Sequence, residues 1–120
     1  MKVAVSSTGR DLNSGVDQRF GRARFFIVVD TETGAFTVHD NTQNLNALQG
    51  AGIQSAKNVV DFGAEAAISG NMGPKAFSTL QAAGVDMYTG AAGTVQEAVD
   101  AFKAGTLQKV GKANVEGRWM

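Results

Sequence analysis

Short apolar runs alternate with polar turns in the first third of the chain and predict three β-strands. Residues 3–5 are apolar and precede the turn residues 6–9, and residues 25–29 form a run of five β-favouring side chains. A run of this kind is typical of a strand that is buried on both faces. The turn at 31–34 and the alternation over 35–39 then predict an antiparallel partner, so that the two strands form a β-hairpin.

The second half of the chain changes to a helical period and predicts three helices. They end at Gly63, Gly84 and Gly105, because glycine is favoured just after the last helical residue. Pro74 begins the second helix at the position that suits proline, and residues 94–97 form a capping box at the start of the third. Two further strands are predicted between the helices, at 66–69 and 85–88.

The resulting element order, βββαβαβα, predicts an α/β fold. Consecutive βαβ units require right-handed crossovers and parallel strands, whereas the N-terminal hairpin adds antiparallel strands. We therefore expect a mixed five-stranded sheet with helices on both faces, formed by a single domain over residues 1–120. The last segment, 106–120, is predicted to be a largely irregular tail.

The composition removes several classes of function. Cysteine is absent, which excludes a disulfide scaffold, a cysteine nucleophile, and a zinc or iron–sulfur site with cysteine ligands. The one histidine, His39, cannot build a protein-ligated metal site alone, and neither paired carboxylates nor a Ser/His/Asp arrangement can be identified. We therefore expect a protein that is not an enzyme. No apolar run approaches 18 residues, so we also expect a cytoplasmic protein without a membrane partner.

Charge is balanced over the chain but concentrated in one loop. Eleven basic and eleven acidic residues cancel, so a nucleic-acid partner is not expected. Four of the five arginines nevertheless fall within fifteen residues near the N-terminus, where their planar donors suit a multi-atom anion. The alternative is a surface loop whose arginines pair with the acidic residues of 25–66. The candidate anion-binding residues of this loop are Arg19, Phe20, Gly21, Arg22 and Arg24.

Glycine-containing turns follow three of the predicted strands and add further candidate residues. In an α/β sheet, ligands bind beyond the carboxyl ends of the parallel strands, and the N–H groups of a following helix favour an anion. The turn before the first helix, at 49–52, has the same character. No residue is predicted as a certain metal ligand, although the thioether of Met72 can make a weak metal contact. The candidate residues of the three turns are Ser7, Thr8, Gly9, Asn71, Met72, Gly73, Ala91, Ala92, Gly93 and Thr94.

Several segments of the chain form a set that occurs together in one protein family. They lie at 1–5, 19–23, 25–30, 50–54, 69–77, 91–95 and 113–117. In this order, and over nearly the whole chain, they resemble the dinitrogenase iron–molybdenum cofactor biosynthesis family. The resemblance implies a three-layer, ribonuclease H-like fold with strand order 3-2-1-4-5, which agrees with the element order.

The same resemblance implies a function in binding or carrying a metal–sulfur cluster. The orange-protein branch of small stand-alone members, similar in length to this chain, is associated with a molybdenum–copper sulfide cluster held without covalent protein ligands. We therefore expect an anionic cluster, either molybdenum–copper sulfide or an iron–molybdenum cofactor precursor, held by backbone N–H groups, arginines and an apolar wall. Many relatives have histidine where this chain has Arg19 and Gln49. The alternatives are a sensor of a small anion or phosphate metabolite and an adaptor for a P-loop ATPase.

Overall fold

The computed structural model describes residues 1–42 and 50–110, and these form one sheet and three helices. No helix in these two ranges is both long enough and apolar enough to cross a membrane. The strands are β1 (Lys2–Ser7), β2 (Phe25–Asp30), β3 (Phe36–Asp40), β4 (Ala66–Ile68), β5 (Asp86–Thr89) and β6 (Gln108–Lys109). The helices are α1 (Ala51–Asp61), α2 (Pro74–Ala82) and α3 (Val95–Ala104).

The strands are arranged in the order β3-β2-β1-β4-β5-β6, so the predicted order of the first five is confirmed. The prediction of only five strands is wrong, because β6 adds a short antiparallel strand beside β5. It falls within the segment that was expected to be irregular, and residues 111–120 of that segment lie outside the described residues. A two-residue strand is too short to show an alternating pattern, and it forms because the open edge of β5 offers partners, such as the Met87 carbonyl that accepts from Val110 N–H at 2.8 Å.

Helices cover both faces of the sheet, as the element order predicts. The side chains of β1 alternate, so that Val3 and Val5 pack against α3, whereas Ala4 packs on the opposite face with α1 and α2. In β2, Ile27 faces α3 and Phe26 faces the other two helices. The strand run predicted to be buried on both faces therefore separates two apolar cores.

The direction of the strands determines where the helices begin. β1 pairs antiparallel with β2 and β2 with β3, while β4 and β5 run parallel to β1. Strands β1, β3, β4 and β5 thus end at one edge of the sheet, and the helix that follows each of the last three begins there. Because α1 and α2 share a face, their first turns are neighbours, whereas the start of α3 lies across the sheet.

His39 is held at the edge strand β3 by a stacking contact and a hydrogen bond. Its ring stacks on Phe62 with a centroid distance of 3.9 Å, and its Nε2 lies 2.9 Å from the Thr37 hydroxyl. Partial burial disfavours the charged imidazolium, which lowers the pKa of His39.

We expect the free energy of unfolding to decrease as the pH falls below about 6.5, the ordinary value for histidine. The unfolded chain takes up this proton before the folded chain does, so the stabilisation is complete above that pH and is lost below it. Urea unfolding between about pH 7 and pH 5 should show this slope, and His39→Phe, which keeps an aromatic stack but cannot titrate, should flatten it. An equal slope in the variant would contradict the assignment.

Hydrogen bonds also lower the pKa of Asp30 and Asp40, which affects stability only below about pH 4.

Candidate functional site

A cavity of about 620 Å³ opens where the first turns of α1 and α2 meet the loop between β1 and β2. We call it the helix-start cavity; it is lined by residues 18–22, 50–52 and 71–76. Its volume lies within the usual range for small-ligand sites, and it occurs at the edge of the sheet where ligands bind in α/β folds. The loop of residues 17–24, which carries three arginines, is called the arginine loop below.

The first half of the arginine loop is attached to the turn between β4 and α2. Asn71 N–H donates to the Gln18 carbonyl at 2.9 Å, and Phe20 N–H donates to the Asn71 carbonyl at 3.2 Å. The Phe20 ring is 1% exposed and lies 5.0 Å from the Phe26 ring in the core. These contacts hold the backbone of Arg19 beside the start of α2.

The second half of the arginine loop is attached to α1 through buried polar side chains. Ser55 Oγ donates to the Gly21 carbonyl at 2.8 Å, and Asn41 Nδ2 donates to the Ala23 carbonyl at 2.9 Å. Asn41 also donates to Ser55 Oγ at 3.1 Å and accepts from Asn58 Nδ2 at 3.2 Å. The loop is therefore held by hydrogen bonds on both sides, which gives the cavity a fixed wall.

Small residues allow the three elements to approach closely. A Cβ atom at Gly21 would lie 3.0 Å from Gly52 Cα and 3.1 Å from its nitrogen, a distance that side-chain-bearing residues rarely tolerate. A Cβ atom at Gly52 would lie 3.6 Å from both the Cβ and the nitrogen of Ala76, which is an ordinary van der Waals contact, so the steric requirement for glycine is at Gly21. Since the nearest atoms at Gly21 belong to backbone, a larger residue there would push the loop away from α1.

Among the described residues, no side chain caps either of the two helix starts at the cavity. Gly50 and Gly73 occupy the N-cap positions, and neither helix has an acidic residue in its first turn. Gly50 adopts a left-handed φ of 81°, a conformation that favours glycine. A helix start carries partial positive charge and N–H groups without helical partners, so two such starts side by side favour an anion.

The start of α3 provides a contrast within the same molecule, because its first N–H groups are already bonded. Val95 N–H donates to the Ser14 carbonyl and Gln96 N–H donates to the Leu12 carbonyl, both at 2.9 Å. Thr94 and Glu97 form the predicted capping box, with Glu97 N–H donating to Thr94 Oγ1 at 3.1 Å. The prediction of a capping box is confirmed. Because the first N–H groups of α3 are already bonded, few remain to bind a ligand.

The charged groups of the cavity lining are cationic. Arg19, Arg22 and Lys75 border the cavity, and the described lining contains no aspartate or glutamate. A lysine in the first turn of a helix faces the positive end of the helix dipole, which is unfavourable unless an anion lies nearby. The apolar part of the wall includes Met72, 6% exposed, and Phe20.

The structure brings together only part of the residues that the sequence analysis placed in one site. Those that border the cavity are Arg19, Phe20, Gly21, Arg22, Asn71, Met72 and Gly73. Those that do not are Ser7, Thr8, Gly9, Arg24, Ala91, Ala92, Gly93 and Thr94. Strand direction brings all these turns to one edge, but α3 lies on the opposite face of the sheet.

The turns that do not border the cavity pack against one another. Gly15 forms a bridge with Thr94, and Thr8 N–H donates to the Gly15 carbonyl at 2.9 Å. Ser7 Oγ donates to the Gly9 carbonyl at 2.8 Å. Arg24 lies at the end of the arginine loop, where its carbonyl accepts from Asn41 N–H at 2.8 Å. These hydrogen bonds give the residues a structural role at their observed positions.

Sequence reasoning missed Lys75 as a site residue and left the α1 start out of the candidate set. A signal for Lys75 was present, since it follows a glycine and a proline at a helix start, where an acidic residue is more usual. The α1 start, residues 50–52, had been noted only for its glycines. Nothing in the sequence indicated that these residues would lie opposite Gly21.

Metal-ligating side chains do not cluster in the part of the chain that the structure describes. No group of three or more His, Asp or Glu residues there could hold a metal ion. His39 borders a separate groove of about 390 Å³ near Phe36 and Phe62. Met72 is the soft donor at the helix-start cavity, so a metal ion there would need most of its ligands from the cargo itself.

Comparison with known proteins gives a consistent set of relatives. The apo form of the orange protein from Desulfovibrio gigas has a TM-score of 0.89 and 39% identity, covering 92% of each chain. A Thermotoga protein described as belonging to the DUF35 family has a TM-score of 0.79 and 46% identity, covering 90% of this chain and 91% of that one. An uncharacterized protein of Methanocaldococcus jannaschii is 31% identical over 111 residues, 91% of either chain.

The family assignment depends on most of the chain. The sequence profile of the family described as dinitrogenase iron-molybdenum cofactor matches residues 1–105, a range that includes the arginine loop, both helix starts of the cavity and the whole of α3. The two similar structures cover 92% and 90% of this chain, and the predicted resemblance is therefore confirmed. The chain belongs to the dinitrogenase iron-molybdenum cofactor family.

Proposed function

We propose that this chain is a non-enzymatic binding or carrier protein for an anionic metal–sulfur cluster, which it holds in the helix-start cavity. The observation that carries the proposal is the convergence of two uncapped helix starts and three cationic side chains on one cavity. Such an arrangement favours a multi-atom anion. The family relationship supports a cofactor-related binding or carrier role.

The apolar wall supports a sulfide cluster over a hydrated oxyanion. Phe20, Met72 and Ala76 are buried and border the cavity, so they cannot replace the water that phosphate or molybdate oxygens would lose. Sulfide ligands are larger, more polarisable and less strongly hydrated, so the apolar surface of Met72 can pack against them. In finer detail we propose a molybdenum–copper sulfide cluster, with an iron–molybdenum cofactor precursor as the alternative cargo.

Non-covalent retention fits the chemistry of the lining. The N–H groups of the helix starts and the cations Arg19, Arg22 and Lys75 would compensate the negative charge of the cluster, while the apolar wall would shield one side of it from water. A cargo held in this way can be released intact, since no bond between the protein and the metal has to break. A P-loop ATPase as partner is proposed from the resemblance alone, and co-purification from the native cell would test it.

We expect the purified chain to bind tetrathiomolybdate together with copper(I), and to do so in preference to molybdate or phosphate. A coloured complex should co-elute with the protein in gel filtration, and its visible spectrum should differ from that of the free reagents. Lys75→Gln should weaken binding about twofold to fivefold, the effect of one exposed charge pair. Lys103→Gln, on α3 across the sheet, is the matched control.

Three results would count against the cluster proposal or its site. A wild-type chain that stays colourless with tetrathiomolybdate and copper(I) would overturn it. Full displacement of the coloured complex by a phosphate metabolite would instead support a sensor of small anions. An equal loss in the Lys75 and Lys103 variants would indicate an unspecific effect of net charge.

Charge reversal at Lys75 should have opposite effects on stability and on binding. Lys75→Glu places an anion at the first turn of α2, which should stabilise the ligand-free protein by about 0.3–1 kcal/mol, and it should weaken cluster binding about fourfold to twenty-fivefold, two charge steps of the size expected for Lys75→Gln. Lys103→Glu lies in the last turn of α3, where the same change should destabilise by a similar amount. Urea unfolding of both variants measures the difference, and binding by Lys75→Glu as tight as that of the wild type would contradict the site.

Met72 should act through its shape and its place in the wall. Met72→Leu should leave binding and the visible spectrum unchanged and cost less than about 1.5 kcal/mol of stability, whereas Met72→Ala should cost about 2–5 kcal/mol and weaken binding. The spectrum of the bound cluster distinguishes packing from ligation. A shifted band in the leucine variant, with binding retained, would show that the thioether contacts a metal.

A further inference from the structure

A buried carboxylate lies directly behind one of the cavity cations. The side chain of Asp17 is 8% exposed, and its Oδ1 accepts from Arg19 N–H at 3.0 Å. The same oxygen lies 3.7 Å from Arg19 Nε, whereas the side chain of Arg19 is 63% exposed and borders the cavity. One oxygen atom therefore contacts both the backbone and the guanidinium group of Arg19.

Asp17 is itself fixed to the ends of two central strands. Its N–H donates to the Ser6 carbonyl at 2.9 Å, and its carbonyl accepts from Ser6 Oγ at 2.7 Å. Ser69 Oγ, which lies 2.9 Å from Ser6 Oγ, also contacts that carbonyl at 3.3 Å. Because these groups belong to the rigid sheet, the carboxylate provides a fixed point for Arg19.

The hydrogen bond of Asp17 and its negative charge have opposite effects on anion binding in the cavity. Its hydrogen bond directs the backbone at Arg19, which favours a preorganised anion site. Its negative charge lies close to a cavity that binds anions, and this lowers the attraction for any anionic cargo. A carrier gains from both effects, since it must hold its cargo in one position and also release it.

We propose that Asp17 is a positioning residue for Arg19 whose negative charge limits how tightly the cavity holds an anion. The inference rests on the proposed function, because it assumes an anionic cargo. It extends that function by assigning opposite effects to the two parts of one side chain: the acceptor oxygen supports binding, and the charge weakens it.

Two substitutions separate the acceptor from the charge. Asp17→Asn keeps an oxygen that can accept from Arg19 N–H, and Asp17→Ser can form a similar turn through its hydroxyl, whereas Asp17→Ala can do neither. With tetrathiomolybdate and copper(I) as the probe, Asp17→Asn and Asp17→Ser should bind about twofold to fivefold more tightly than the wild type, with a steeper salt dependence. Asp17→Ala should bind more weakly than either.

The Arg19→Gln background distinguishes positioning from a general role in folding. In this background, Asp17→Asn and Asp17→Ala should bind the probe equally, because no guanidinium group remains to be positioned. A difference that persists in this background would assign Asp17 to loop structure and overturn the positioning role. Weaker binding by a folded Asp17→Asn or Asp17→Ser would overturn the role of the charge.

A ligand-free measurement separates this inference from the proposed function. In NMR spectra of the protein without added anion, the Arg19 backbone N–H should remain protected from exchange in the wild type and in Asp17→Asn, and should lose protection in Asp17→Ala. A wild-type protein that does not bind the probe would overturn the proposed function. It would also overturn the proposed effect of the Asp17 charge on affinity. Equal protection in all three proteins would overturn the positioning role independently of any ligand.

Discussion

The close approach of the first turns of α1 and α2 is the constraint on which the site depends. Each helix follows a strand that ends at the same edge of the sheet, and both pack on the same face. Gly52 faces the small residue Ala76 of α2, and Gly21 allows the arginine loop to lie against Gly52. Two positive helix ends are thereby brought together, an arrangement that is unfavourable without a counter-charge.

Within the described residues, no acidic side chain lies in the first turn of α1 or α2 or in the lining of the cavity. α3 shows that the same chain can cap a helix conventionally, with Thr94 and Glu97 at its start and neighbouring carbonyls on its first N–H groups. At the cavity the N-caps are glycines instead, and Lys75 adds positive charge in the first turn of α2. Local stability is thus lower than the fold would allow, which is common where a site is built to receive a ligand.

Buried hydrogen bonds provide the rigidity that the site needs. Asn71 and Phe20 attach one side of the arginine loop to the β4–α2 turn, and Ser55 and Asn41 attach the other side to α1. These four residues are uncharged, and the one carboxylate of the loop, Asp17, contacts Arg19 from behind. Because the loop is already ordered, an anion that binds beside it does not incur the entropy cost of ordering the loop.

The sequence determined the elements and much of the sheet, because hydrophobic periodicity and helix caps are local signals. The uninterrupted run at 25–29, Pro74 at the start of α2 and the capping box at 94–97 all predict what the structure contains. Strand β6 was missed, since two residues have no period and their pairing depends on the open edge of β5.

Only the tertiary structure decided which residues line the helix-start cavity. The sequence identified glycine turns and arginines, yet it could not distinguish the two faces of the sheet, and so it grouped residues 91–94 with the arginine loop. Helix α3 crosses to the opposite face, which places its start away from the cavity, while the start of α1 comes to lie opposite Gly21. Right-handed crossovers place α1 and α2 on one face because they connect parallel strands, but α3 leads to the antiparallel strand β6, so the face that α3 covers follows only from the packing of the core.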